Sequence, residues 1–199
     1  MCFDANELGR MEQEFWELCE KLGDRLPQGF LEWFQKTDFF TAPASAKYHL
    51  NCEGGLLCHS LNVAWNMLTL REAFDILKPV GEKSAILVGL FHDLCKTGTY
   101  RKAFRKQKGA DGQWERVPSY AYRTDLPMGH GEKSVYLLLQ HGVKLADEEA
   151  LAIRWHMGAF DHAVKGGSQD MNEAKKATPL VLALQMADEM AAHWYEAEM

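Results

Sequence analysis

The sequence predicts an all-α protein with one β-hairpin inserted at about residues 99–123. Three observations lead to this. Apolar residues recur at three- and four-residue spacing near the N-terminus, residues 84–91 are apolar all round, and the period changes only between Thr99 and Arg123. A stripe at helical spacing marks an amphipathic helix, and an unbroken apolar stretch marks a buried one.

Residues 5–22 place Leu8, Met11, Phe15, Leu18, Cys19 and Leu22 on one stripe, so a first helix is expected there. A second follows Pro27, at about 28–35. The segment HSLNVAWNMLTLREAF (59–74) is helical and largely apolar, and the glycines of Glu53-Gly54-Gly55 before it permit a tight turn or a close backbone approach. Another helix is expected over 82–95, and later ones at about 131–141, 147–157 and 178–196. Between them TYRKAFRKQ and QWERVPSYAYR flank the turn-forming Gly109-Ala110-Asp111-Gly112, the pattern of a hairpin, with Pro118 suited to an edge strand. Residues 165–173 are Gly-rich and polar and read as a mobile loop. No repeat, low-complexity tract or linker divides the chain, so one domain is expected over 1–199, with N-terminal helices (1–45) packed on a core of 46–199.

Composition narrows the function classes. A chain of 199 residues buries roughly 70% of its unfolded surface, so folding requires neither disulfides nor a structural metal, and any metal would serve function. The 22 basic residues are outweighed by 28 acidic ones, which argues against a general nucleic-acid-coating protein. No apolar run approaches a membrane span, and the acidic N-terminus lacks the pattern of a secretory signal, so cytoplasmic residence is expected. The five cysteines (Cys2, Cys19, Cys52, Cys58, Cys95) form no CxxC, which suits reduced thiols and argues against a cysteine zinc site.

Several polar residues stand where apolar ones would be expected. His92 and Asp93 follow eight uncharged residues in SAILVGLFHD, and Asp188 ends nine in PLVLALQMAD. A buried ionised carboxylate costs several kcal/mol unless it is paired or bound to a metal. Two of them repel unless a cation lies between. His59, His130 and His156 each stand at a helix end among apolar neighbours. With His92 they make four imidazoles and two carboxylates, a mixed set suited to borderline divalent metals such as Mn, Fe, Zn, Co or Ni. The alternative is separate core histidines, with aspartates that cap helices or pair with Lys96 or Arg154.

His59, the His92-Asp93 dipeptide and Asp188 resemble the H…HD…D signature of the HD-domain superfamily of metal-dependent phosphohydrolases, over about residues 46–195. The segment EGGLLCHSLNV is similar to the GGLLxHS segment of the branch that contains bacterial 3′-to-5′ exoribonucleases, and the chain also resembles bacterial and prophage HD proteins that carry a hairpin. The resemblance implies an all-helical HD bundle. It further implies that His59, His92, Asp93 and Asp188 bind one metal and that His130 and His156 hold a second, bridged by Asp93. Cys95 stands where the common HDxGK form has glycine, Lys96 is retained, and no OB domain like that of the exoribonucleases is expected within these residues.

The expected chemistry follows from such a site. A bound divalent ion lowers the pKa of water from roughly 15.7 towards about 7. Asp93 and Lys96 are the catalytic candidates, with Lys96 set to meet substrate phosphate. Arg101 and Lys102 on the hairpin, Lys133 after His130, and His49, which resembles a histidine before the GG turn in the exoribonuclease branch, are candidate substrate contacts. The basic hairpin reads either as a lid that attracts an anionic substrate or as a solvated element. His141 and His193 read as structural or surface residues, and Asp161 and His162 as loop residues.

The leading expectation is a metal-dependent phosphohydrolase with one or two metals per chain, acting on a nucleotide or other small anionic phosphoester. A 3′-to-5′ nuclease on single-stranded nucleic acid, a di-iron oxygenase and a non-catalytic binding or sensor module are the alternatives. Nucleic acid is the less favoured partner, no membrane is expected, and the oligomeric state is left open.

Overall fold

The N-terminal stripe forms α1 (Ala5–Leu22), opened by a capping box in which Asp4 accepts from the Glu7 backbone and Glu7 accepts from that of Asp4. Its buried face carries Phe15, Leu18, Cys19 and Leu22, and α2 (Gln28–Phe34) adds Phe30 and Phe34. The structure is a computed structural model describing residues 3–109 and 112–197. Cys2 and the expected turn residues Ala110 and Asp111 lie outside the described residues.

Two central helices follow. α3 (Gly55–Ala73) begins four residues before His59, so His59 lies in its second turn. α4 (Glu82–Phe91) is buried throughout Ala85–Phe91, as its unbroken apolar stretch requires. Phe91 packs edge-on to Phe15, Phe30 and Phe34, which joins the N-terminal helices to α4. Gly89 permits close contact between the central pair: a Cβ there would stand 2.5 Å from the Ala64 Cα of α3. α3 also packs along α9 (Leu180–Met190), and α9 along α6 (Asp147–Trp155).

The helix expected over 82–95 ends earlier, at Phe91. Asp93 leaves helical geometry with φ −103° and ψ 20°, near the sparsely populated bridge region where active-site residues recur, and Leu94–Lys96 forms a tighter turn. Thr97 and Thr99 hydroxyls donate to the carbonyls of Leu94 and Cys95.

The hairpin consists of β1 (Tyr100–Lys108) and β2 (Trp114–Tyr122), antiparallel, with Pro118 opposite Phe104. Both strands are edges, which explains how Pro118 is accommodated. The chain returns through α5 (His130–Gln140) and α6. Gly131 permits contact between them, since a Cβ there would meet the Arg154 carbonyl oxygen at 2.1 Å.

Residues 165–173 correct the expectation of a loop. A short α7 (His162–Lys165) precedes Gly166-Gly167, and α8 (Asp170–Ala177) begins within that segment. α8 buries Met171 and Ala174, with Asp170 and Glu173 in its first turn and Lys175 and Lys176 in its last, the charge order the helix dipole favours. The final helix is also shorter than 178–196: α9 gives way to a π-helical turn at Ala191–Tyr195. Among the described residues, no helix is long and apolar enough to cross a membrane.

Candidate metal centre

The close packing of α3 on α4 brings His59 to His92. Their Nε2 atoms are 3.3 Å apart, and His59 Nε2 is also 3.2 Å from Asp188 Oδ1 and 3.6 Å from Asp93 Oδ2. From the end of α6, His156 places its Nε2 3.4 Å from Asp93 Oδ1. His59, His92, Asp93 and His156 are buried, and Asp188 stands at the mouth.

Hydrogen bonds at the far side of each ring determine which nitrogen faces inward. His92 Nδ1 lies 2.9 Å from the Gly89 carbonyl and His156 Nδ1 2.7 Å from that of Ile153; a carbonyl can only accept, so both Nδ1 atoms donate. His59 Nδ1 lies 3.1 Å from both oxygens of Glu196. All three Nε2 atoms therefore turn towards the two aspartates. His156 Nε2 is buried and has no hydrogen-bond partner among the described residues. Such an orphaned nitrogen, beside two imidazole nitrogens facing each other and two carboxylates, fits a cation held by mixed N and O donors. His59–His92–Asp188 and His92–Asp93–His156 each bring their ligand atoms within 4.8 Å of one another.

Charge interactions follow this geometry. Burial pulls the His59 imidazole down, but hydrogen bonds to Asp188 and Glu196 outweigh it and raise its pKa to about 10. Asp188, despite burial, is lowered to about 2, chiefly by His59. Asp93 is held well below the usual carboxylate range: Lys96, His92 and His156 together outweigh its burial. Burial dominates at His92 and lowers it. Lys96 Nζ lies 2.5 Å from Asp93 Oδ2. Cys95 is no candidate nucleophile, since burial and the Asp93 charge push its thiol up to about 12.

The centre forms the floor of a cleft of about 750 Å³ whose lining includes His49, Lys96, Met157 and Phe160. His49 Nδ1 contacts Glu196 Oε2 at 2.5 Å. Other predicted residues lie elsewhere. His130 is half-buried, with its ring stacked on Tyr122, and belongs to none of the ligand groups. Lys133 is buried against Thr99 and Thr124. Arg101 donates to the carbonyls of Gly98 and Tyr100, and Lys102 faces Glu53, so neither lines the cleft. Asp161 caps α7 and pairs with Arg154, while His141 stacks on Trp33. His193 sits at the cleft edge and pairs with Glu189.

Glu196 and Asn62 are the functional candidates that sequence reasoning missed. Asn62 donates to Glu196 at 2.9 Å, and the π-helical turn carries the Glu196 side chain into full burial against His59.

The HD-domain family model matches residues 56–193, a span that contains every residue of the His59–His92–Asp188 and His92–Asp93–His156 groups; a third group, His49–His59–Glu196, has His49 and Glu196 outside it. The chain belongs to the HD-domain family. HD domains bind divalent metals and are mostly metal-dependent phosphohydrolases, which supports metal-dependent hydrolase activity for this chain at that general level. No curated protein and no solved structure matches the chain.

Proposed function

We propose that this HD protein hydrolyses a small anionic phosphoester, such as a nucleotide, in the cleft above His59, His92, Asp93, His156 and Asp188. The observation that carries this reading is the set of three buried imidazoles, each oriented by its far nitrogen, whose Nε2 atoms converge on two ionised aspartates. His59, His92, Asp93 and Asp188 would hold one divalent transition ion. His156 with Asp93 offers a second position, for which His130 is the further candidate. When bound, such ions supply water activated at neutral pH and neutralise charge at a phosphoryl oxygen.

The residues of the chain do the rest. Glu196, the Gly89 carbonyl and the Ile153 carbonyl hold the imidazoles in one tautomer, so no reorientation accompanies binding. Lys96, fixed by Asp93 at the cleft floor, presents positive charge to a phosphoryl oxygen. His49 lines the same cleft and contacts the substrate. Arg101 and Lys102, on the exposed hairpin, contribute long-range attraction rather than contact.

The test combines metal analysis with phosphate release. Protein purified without chelator should contain a divalent transition metal and release phosphate from members of a nucleotide and sugar-phosphate panel. Asp93→Asn should lose both. Phosphate release that survives chelation and Asp93→Asn would overturn the reading, and iron content with oxygen uptake would replace it with the oxygenase.

A further inference from the structure

The two faces of the β1–β2 hairpin are unlike. In an antiparallel pair, residues directly opposite share a face and neighbours along a strand alternate. The register therefore puts all five aromatic residues of the strands, Tyr100, Phe104, Trp114, Tyr120 and Tyr122, on one face. Lys102, Lys106, Lys108 and Arg116 share it. Glu115, the one acidic residue of the two strands, lies on the other face, opposite Gln107. Along β1 the order on the aromatic face is ring, cation, ring, cation, cation, one about every 7 Å.

Charge alone does not account for this face. The strands carry six basic residues and one acidic residue, in a chain whose net charge is −6. Lysines on a bare strand edge keep other strands from pairing with it, but exposed rings do the opposite. Yet Trp114 is 70%, Phe104 59% and Tyr122 52% exposed. The Arg116 guanidinium lies 4.0 Å over the Phe104 ring, which holds its charge on this face. Lys106, Lys108 and Arg116 have no ion-pair partner among the described residues, while Lys102 meets Glu53 at 3.4 Å in an exposed pair. At the inner end of the face, Tyr122 lines a cavity of about 600 Å³ whose Met157 and Phe160 also line the metal cleft.

Unpaired cations set between exposed rings match a polymer that sets phosphates between flat bases. Stacking on side chains requires bases that are not paired within a duplex, so the matching form is a single strand. The acidic remainder of the chain repels such a polymer and confines its contact to the hairpin. A membrane surface would instead be met by apolar residues at the tip, and the turn between the strands contains no large apolar residue.

We propose that this hairpin face binds single-stranded nucleic acid, with phosphates at Lys106, Lys108 and Arg116 and bases stacked on Phe104, Trp114 and Tyr122. The inference goes beyond the phosphohydrolase reading and does not depend on it.

The test uses the full chain, kept in chelator so that no strand is hydrolysed. It is titrated with fluorescein-labelled single-stranded DNA and RNA of about 12 nucleotides, followed by anisotropy. At least one strand should bind, with log Kd rising against log salt at a slope of about 2 to 3, as for three or four neutralised phosphates. Trp114→Ala and Phe104→Ala should each weaken binding about tenfold, and Lys106→Ser combined with Lys108→Ser should lower the slope by about 1.4. These side chains are exposed, so the melting temperature should hold in every variant. No binding of either strand overturns the proposal, as does binding that these variants leave unchanged. Equally tight binding of a duplex of the same sequence overturns the single-strand assignment. Polyglutamate or phosphatidylserine vesicles that displace the strand as well as unlabelled strand does would show a surface that reads charge alone, and would overturn it too. A nucleotide panel without phosphate release, with strand binding intact, counts against the phosphohydrolase reading only.

Discussion

His59 Nε2 lies 3.3 Å from His92 Nε2, and the far nitrogen of each ring is already engaged, by Glu196 and by the Gly89 carbonyl. Two neutral imidazoles in those tautomers would point lone pairs at one another inside the protein. Something positive must lie between them. Without a metal it is a proton on His59, held there by Asp188 and Glu196, which raise the His59 pKa. With a metal it is the ion, and the proton is released.

The Asp93–Lys96 pair gives the first prediction. Asp93→Ala removes a ligand and also leaves a buried ammonium unpaired, which costs on the order of 3 kcal/mol or more. Asp93→Ala with Lys96→Met should recover most of that loss in urea unfolding, while both variants lack bound metal on elemental analysis. Equal stability of the single and double variants would show that the pair is not coupled.

Glu196 gives the second. Glu196→Gln keeps the shape but can present its NH₂ to His59 Nδ1, which destabilises the tautomer that turns Nε2 inward. Metal affinity should fall about 10- to 100-fold, with little change in helical content, as expected for a residue that orients a ligand. An unchanged metal titration would reduce Glu196 to a structural role.

The contrast between Asp188 and Glu196 explains what the sequence made legible. Asp93 and Asp188 stand out because apolar residues precede them, and the same stretches forecast α4 and α9. Glu196 sits among Tyr195, Ala197 and Glu198 in what reads as an ordinary polar end; only the π-helical turn carries it inward. α8 was hidden for a related reason: just Met171 and Ala174 are buried, too few to make a stripe. The directions of Arg101 and Lys102 depend on hairpin register and on neighbours distant in sequence, such as Glu53. Local pattern therefore located most of the helices and the polar residues that α3, α4, α6 and α9 bring together, whereas the supporting contacts depend on tertiary packing.

Gly89 gives the third prediction. Its carbonyl holds His92 Nδ1, and its missing side chain lets α4 approach α3. Gly89→Ala must push the helices apart, at a cost of about 1 to 3 kcal/mol, and move His92 away from His59. The melting temperature and the metal affinity should fall together. A stability loss with unchanged metal affinity would show that His92 is held by something other than this contact.

The pH dependence of the metal-free protein gives the fourth. His59 is raised in the folded protein from 6.5 to about 10, so its stabilising contribution is complete below pH 6.5 and is lost as the pH rises through about 10. Asp188 and Glu196 are depressed, Asp188 to about 2, so their contributions are present above the ordinary carboxylate range and are lost as the pH falls through the folded values. His92, lowered by burial, loses its contribution as the pH falls below 6.5, so the melting temperature after chelation should be highest near about pH 6.5 and decline on both sides. Adding metal should flatten the alkaline decline, because the cation takes the place of the His59 proton and binds more tightly as the pH rises. Thermal melts from pH 3 to 10, with and without metal, check this. A metal-free melting temperature that stays constant from pH 6.5 to 10 would mean that His59 does not carry its charge in the folded protein, and the proton placed between His59 and His92 would have to be abandoned.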